Sequence, residues 1–112
     1  MKKLILALGA SALVYSSLPA LAAGDIEAGD RKAERCASCH GSDGIGIAGA
    51  FPNLAGQKTV YLVKQMKDFR TGKRKDPIME LEAKKLSDED IADIAAWYAS
   101  LSGEVTPRAK LH

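Results

Sequence analysis

Apolar side chains recur every three or four positions along two stretches of this chain, and that spacing predicts helices. Over residues 59–70, Leu62, Met66 and Phe69 share one face, while Lys64, Lys67 and Asp68 lie on others. Further on, Ile91, Ile94, Ala95, Tyr98 and Leu101 form a second stripe. Ser87, followed by Asp88, Glu89 and Asp90, is an N-cap with an acidic first turn, which suits the positive end of a helix dipole. Gly103 marks the expected end of that helix. A further helix is predicted from Ile26 into Cys36, capped by Asp25. Residues 44–56 are rich in Gly, Ala and Pro with no helical period, and read as a loop. Residues 71–77 break the pattern before a short helical turn over residues 80–85. No strand alternation, internal repeat or low-complexity segment is visible, so the expected class is all-α, with three main helices plus short turns.

The N-terminus follows a different logic. Lys2 and Lys3 precede a mostly apolar run over residues 4–15, then Pro19 and the small-residue triplet Ala20-Leu21-Ala22. This is the layout of a secretory signal peptide, with cleavage expected after Ala22. The apolar run is short for a membrane span of about 20 residues. Residues 1–22 are therefore expected to be removed, leaving residues 23–103 as one small domain and residues 104–112 as a flexible polar tail. Losing Lys2 and Lys3 takes the formal charge from +2 to 0, so the precursor's basicity says little about partners. A domain this short buries a marginal core on its own.

The chemistry centres on Cys36-Ala37-Ser38-Cys39-His40. The pattern C-x-x-C-H marks covalent haem attachment. Residues three apart lie on one helical face, so both thiols reach the two vinyl groups on one haem edge and add across them as thioethers. His40 follows at once and can turn its imidazole to the iron. Other readings of the two cysteines fare less well. A redox dithiol wants a βαβ setting, zinc needs four ligands, and a structural disulfide leaves the adjoining His unexplained. A tethered haem also supplies the apolar mass that so short a chain lacks. For a sixth ligand the chain beyond residue 22 offers Met66 and Met79. Met66 sits on a helical apolar stripe, where filling the core is its ordinary role. Met79 follows Pro77 in what reads as a loop, and a loop can swing a thioether over the haem. A Lys ligand or an open site are the remaining alternatives.

With these pieces in order, the chain resembles the class I cytochromes c, above all the small soluble bacterial monohaem type and single domains of dihaem cytochromes c. The resemblance is carried by Gly29, the C-x-x-C-H motif, Phe51-Pro52-Asn53-Leu54-Ala55-Gly56-Gln57, Asp76-Pro77-Ile78-Met79, and the run from Leu86 to Tyr98 with Trp97. It implies helices wrapped around one covalent haem c per chain, anchored at Cys36 and Cys39, with His40 and Met79 as axial iron ligands. It also implies that the Pro52 carbonyl accepts the second ring N–H of His40, and that Gly29 meets Trp97 where the first and last helices cross. An iron with two strong protein ligands exchanges electrons and offers no substrate site. The expected function is thus a periplasmic electron-transfer protein, not an enzyme, with transient redox donors and acceptors. It is expected to be a monomer that binds no nucleic acid and is not stably inserted in a membrane. The alternative is an electron-entry subunit of an oxidoreductase complex; a gas or peroxide sensor would need an open sixth site. Tyr61, Gln65 and Arg70 either reach the haem edge or its propionates or are ordinary face residues, and the second is the expected reading. Lys64, Lys67, Arg70, Lys73, Arg74 and Lys75 form a basic cluster, and Glu80, Glu82 and residues 88–93 an acidic one. They either set up a dipole that steers docking or cancel locally.

Overall fold

Short polar side chains start three of the helices. Asp25 accepts the Ala28 amide and opens α1 (Ile26–Lys32). Asp76 accepts the amides of both Ile78 and Met79 and opens α4 (Pro77–Lys84), with Pro77 in the first turn, where its missing N–H costs nothing. Ser87 and Asp90 form a reciprocal capping box at the start of α5 (Asp88–Ser100). The other two helices are α2 (Glu34–His40) and α3 (Thr59–Thr71). This computed structural model describes residues 2–13 and 24–103 and has no strand among them, so the class is all-α as the patterning predicts. The expected signal cleavage point and the polar tail lie outside the described residues. The apolar side chains of Leu4, Ile5, Leu6, Leu8 and Leu13 are exposed and add nothing to the core.

Three boundaries differ from those expected. The first helix does not stop at Cys36. It is interrupted only at Ala33, where the Cys36 amide bonds the Ala33 carbonyl at 2.8 Å, and it resumes through His40. The whole C-x-x-C-H motif is therefore helical. The turn expected over residues 80–85 is a full helix starting at Pro77, because Asp76-Pro77 is itself a cap followed by a first-turn proline. The last helix ends at Ser100, before Gly103. Its Tyr98 carbonyl accepts from the Gly56 amide at 3.0 Å as well as from Leu101 at 3.2 Å. Backbone from the long loop thus takes up the carbonyl, in place of a glycine cap.

The frame is α1 crossing α5, with α3 packed on α5 and α4 packed on α3. The crossing depends on Gly29. A Cβ there would stand 2.0 Å from the Asp93 carbonyl oxygen and 2.8 Å from Trp97 Cβ, distances no real side chain tolerates. Buried Asp93 pins the crossing electrostatically. It accepts the Asp25 amide at 2.8 Å and the Lys32 ammonium at 2.6 Å, and Asp90 adds a second carboxylate to Lys32 at 3.0 Å. These bonds hold Asp93 below the usual carboxylate range, with the Lys32 hydrogen bond the largest cause, and they push Lys32 upward. The buried cluster itself is small: Ala33, Leu62, Ile94, Ala95 and Tyr98. Cys36, Leu54, Met66 and Leu86 lean on it only partly buried, because a cavity opens beside them.

Candidate functional site

That cavity has a volume of about 580 Å³, within the range of about 300–1,000 Å³ typical of small-molecule and cofactor sites. Leu54, Leu62, Phe69, Leu86 and Ile94 give it apolar walls. Helix α2 supplies Cys36, Cys39 and His40, and the first turn of α4 supplies Met79. The helical run through the motif explains why both sulfurs line the same space: residues three apart share a face. The two cysteines are unpaired and half-buried. Burial pushes the Cys36 thiol up, so the free thiol is a neutral group in an apolar wall. Among the described residues no three or more His, Cys, Asp or Glu side chains cluster as a metal cage. The zinc reading has no donor set there.

His40 is buried, and its Nδ1 donates to the Pro52 carbonyl at 2.9 Å. A carbonyl only accepts, so Nδ1 carries a proton, which leaves Nε2 as the ring nitrogen that can bind a metal. Residues 41–58 make this contact possible by folding back on themselves. The amides of Leu54 and Ala55 bond the Gly44 carbonyl at 2.7 and 3.0 Å, and the Ile47 amide bonds the Cys39 carbonyl at 3.0 Å. Asn53 Oδ1 accepts the Gly46 amide at 2.8 Å. A stretch that reads as a flexible loop in sequence is thus internally laced, and the lacing carries Pro52 to His40. Asn53 was missed as a site-building residue. Its signal is the known habit of Asn side chains of closing turns on nearby amides.

Met79 lines the cavity from the first turn of a helix and not from a loop, which corrects the expectation for its setting. The Asp76 carboxylate holds its backbone through the Met79 amide at 2.8 Å. Met66 leans on the core cluster as expected of a filler, yet it lines the same cavity. Tyr61 and Gln65 also line it, and so are more than ordinary face residues. Arg70 is not at the cavity; it bonds the Leu86 carbonyl at 3.2 Å and pairs with Asp88. Arg35, Arg74 and Gln57 line the cavity although their spacing gave no hint of it. The basic and acidic clusters interleave: Lys64 pairs with Asp68, Arg70 with Asp88, Lys75 with Glu80, and Arg35 with Glu82. Lys64, Arg70 and Lys75 are thus neutralised locally, while Lys67, Lys73 and Arg74 have no ion pair among the described residues.

The sequence model of the Cytochrome c family matches residues 26–102, which takes in every element lining the cavity. The chain belongs to the cytochrome c family. It is 51% identical to cytochrome c-554(548) of Halomonas halodenitrificans over 81 residues, covering 70% of this chain and 98% of that protein. The structure of reduced recombinant cytochrome c4 from Pseudomonas stutzeri superimposes with a TM-score of 0.70 at 43% identity, covering 74% of this chain and 48% of that one. The chain therefore spans about half the length of that relative. A third relative is a thiosulfate dehydrogenase electron acceptor of Stutzerimonas stutzeri, 52% identical over 62 residues, which covers 54% of this chain and 29% of that protein.

Membership means a covalently attached haem c and a role in electron transfer with redox partners, and the class I cytochrome fold is the one seen. The cavity fits that group on its own chemistry. Two thiols stand three residues apart, an imidazole follows, the thioethers of Met66 and Met79 line the same space, and Leu54, Leu62, Phe69, Leu86 and Ile94 give it an apolar interior. A core with so few large buried side chains is completed by an apolar disc in this space.

Proposed function

We propose that this chain is a diffusible periplasmic carrier of one electron, with Cys36 and Cys39 as thioether anchors and His40 and Met79 as the two axial ligands. When bound, haem c supplies a one-electron ferrous/ferric couple. The protein's own residues set its conditions. His40, fixed by the Pro52 carbonyl, presents its Nε2 in one orientation. Met79, on a backbone held by Asp76, presents a soft donor that favours the reduced state and raises the potential. Leu54, Leu62, Phe69 and Ile94 keep water away. Tyr61 and Ile78 line the cavity while 47% and 55% exposed, so the site has an apolar lip where a partner can come close. Small, weak interfaces suit such encounters.

The observation that carries this reading is the His40–Pro52 hydrogen bond in a cavity that also holds a methionine. It prepares one ring nitrogen for iron, and the thioether would close the coordination sphere, leaving no place for a substrate. We read the chain accordingly as having no catalysis of its own. We also read residues 1–22 as a signal peptide removed on export, residues 23–103 as the haem domain, and residues 104–112 as a tail. No helix among the described residues is long and apolar enough to cross a membrane.

The test is spectroscopic. A pyridine haemochrome assay should count one haem c per chain. The oxidised protein should show a weak far-red sulfur-to-iron band, and the reduced protein should not bind carbon monoxide readily. Ready carbon monoxide binding by the wild type would replace the carrier with a ligand-binding haem. A second reading, an electron-entry subunit of an oxidoreductase, is favoured by the likeness to the thiosulfate dehydrogenase electron acceptor. Size-exclusion of native periplasm separates the two: a free small species supports the carrier, and co-elution with a large complex supports the subunit.

A further inference from the structure

We propose that Arg74 is the cation that receives a haem propionate, and that Gln65 and Phe69 exist at this point to hold it there. Four charged side chains line the cavity besides His40: Arg35, Arg74, Asp76 and Glu82. Three are already committed. Arg35 donates to Glu82 at 3.0 Å, and Asp76 accepts the amides of Ile78 and Met79 at 2.9 and 2.8 Å. Arg74 has no carboxylate among the described residues. Asp68, whose backbone carbonyl accepts the Arg74 amide at 3.0 Å, has its carboxylate on Lys64. Lys75, the neighbouring cation, is spoken for by Glu80 at 3.6 Å.

Yet Arg74 is not loose. Its guanidinium lies 4.6 Å from the centroid of the Phe69 ring and donates to Gln65 Oε1 at 2.7 Å. Stacking and a neutral acceptor fix the plane of the fork without spending its charge. A guanidinium held still at the edge of the cavity, with no ion pair of its own and only the Lys64-paired Asp68 carboxylate within electrostatic reach, is complementary to a carboxylate that enters with the cavity's occupant. Haem carries two such groups. Arg and not Lys is required, because only a planar fork can stack on Phe69, bond Gln65 and still offer a second pair of N–H donors.

The inference rests on haem filling this cavity, and it is independent of which thioether binds iron. Its test is the pH profile of the midpoint potential of the holoprotein, measured by equilibrium redox titration. At each step the iron takes one electron from the electrode. Between the propionate's oxidised-state pKa and its higher reduced-state pKa, reduction also draws one proton from solvent onto the propionate, and over that interval the potential falls with pH. Arg74 keeps the propionate ionised, so in the wild type this fall lies at acid pH. In Arg74→Gln it should move upward by about one unit, the low end of the range for an opposite charge close by, because Arg74 is exposed. Arg74→Lys should move it less, in the same direction. Lys73→Gln, which removes an equal charge from the adjacent exposed position, should leave the profile in place. An Arg74→Gln profile that superimposes on wild type overturns the proposal, and so does an equal shift in Lys73→Gln. If Arg74→Gln yields no holoprotein, Arg74→Lys decides, and an unshifted profile there overturns it. The far-red band reports axial ligation separately in each variant, so loss of that band marks a failure of the axial assignment and not of the propionate one.

Discussion

At the scale of single residues, the two methionines carry the sharpest distinction. Both line the cavity; Met66 sits in the middle of α3 against the core cluster, and Met79 in a first turn whose amide is held by the Asp76 carboxylate. Met79→Ala should keep haem attached, since Cys36, Cys39 and His40 are untouched. It should lose the far-red band, admit carbon monoxide and lower the reduction potential, by some fraction of the roughly 0.8 V over which axial ligands tune haem. Spectroelectrochemistry reads all but the gas binding. Met66→Leu should change none of these and cost less than about 1.5 kcal/mol, as volume-conserving core swaps do. If the two exchange behaviour, Met66 is the ligand. His40→Ala should give no stable holoprotein, checked by haem stain after denaturing electrophoresis. Asn53→Ala strips the Gly46 amide of its partner, and one hydrogen bond of this kind is worth about 1 kcal/mol. A holoprotein Tm lowered by several degrees is expected, and an unchanged Tm would mean that the loop is held without it.

At the scale of elements, the crossing of α1 over α5 is the part least tolerant of change. Gly29→Ala forces a methyl into the Asp93 carbonyl, and overpacking of this sort costs about 1–3 kcal/mol. For a domain of this size each kcal/mol lowers Tm by about 4–8 °C, readable by calorimetry. The Asp93–Lys32 pair predicts the pH response. Asp93 is depressed by its bond to Lys32, so its contribution is present above the ordinary Asp value near 3.9 and fades as pH falls through the lower folded value. Lys32 is raised, so its side of the same bond is complete below about 10.4 and lost only as pH climbs through the folded value. Asp93→Asn should lower stability at pH 7 and flatten the loss seen on acidification. Chemical denaturation at pH 7 and pH 3 checks it, and an equally steep acid loss in the variant would refute the pairing as its source.

At the scale of the whole molecule, charges pair with near neighbours, and the chain from residue 23 onward is formally neutral. A chain with no net charge is expected to steer partners weakly at long range. Bimolecular electron exchange with a soluble redox partner should change less than about tenfold between low salt and physiological ionic strength, where screening sets in at about 8 Å. Stopped-flow rates across a salt series test this. A steep dependence would show that half-buried Lys67 and exposed Lys73 and Lys84 act together as a docking patch.

Much of this protein is visible in one dimension. The period of Leu62, Met66 and Phe69, the stripe from Ile91 to Leu101, and the Ser87 cap are local facts, because a helix is built from contacts three and four residues apart. C-x-x-C-H is equally local, since one turn of backbone dictates which edge of a cofactor two thiols can share. The rest required the chain to close on itself. Helix α5 ends at Ser100 because a backbone amide at Gly56, far away in sequence, takes its carbonyl. His40 presents Nε2 because a carbonyl twelve residues on is laced into reach. Arg74 reads as one more charge in a basic run until Phe69 and Gln65 are seen to hold it beside a cavity and every nearby carboxylate proves to be occupied. Partners of that kind are chosen by distance in space, and no spacing along the chain encodes them.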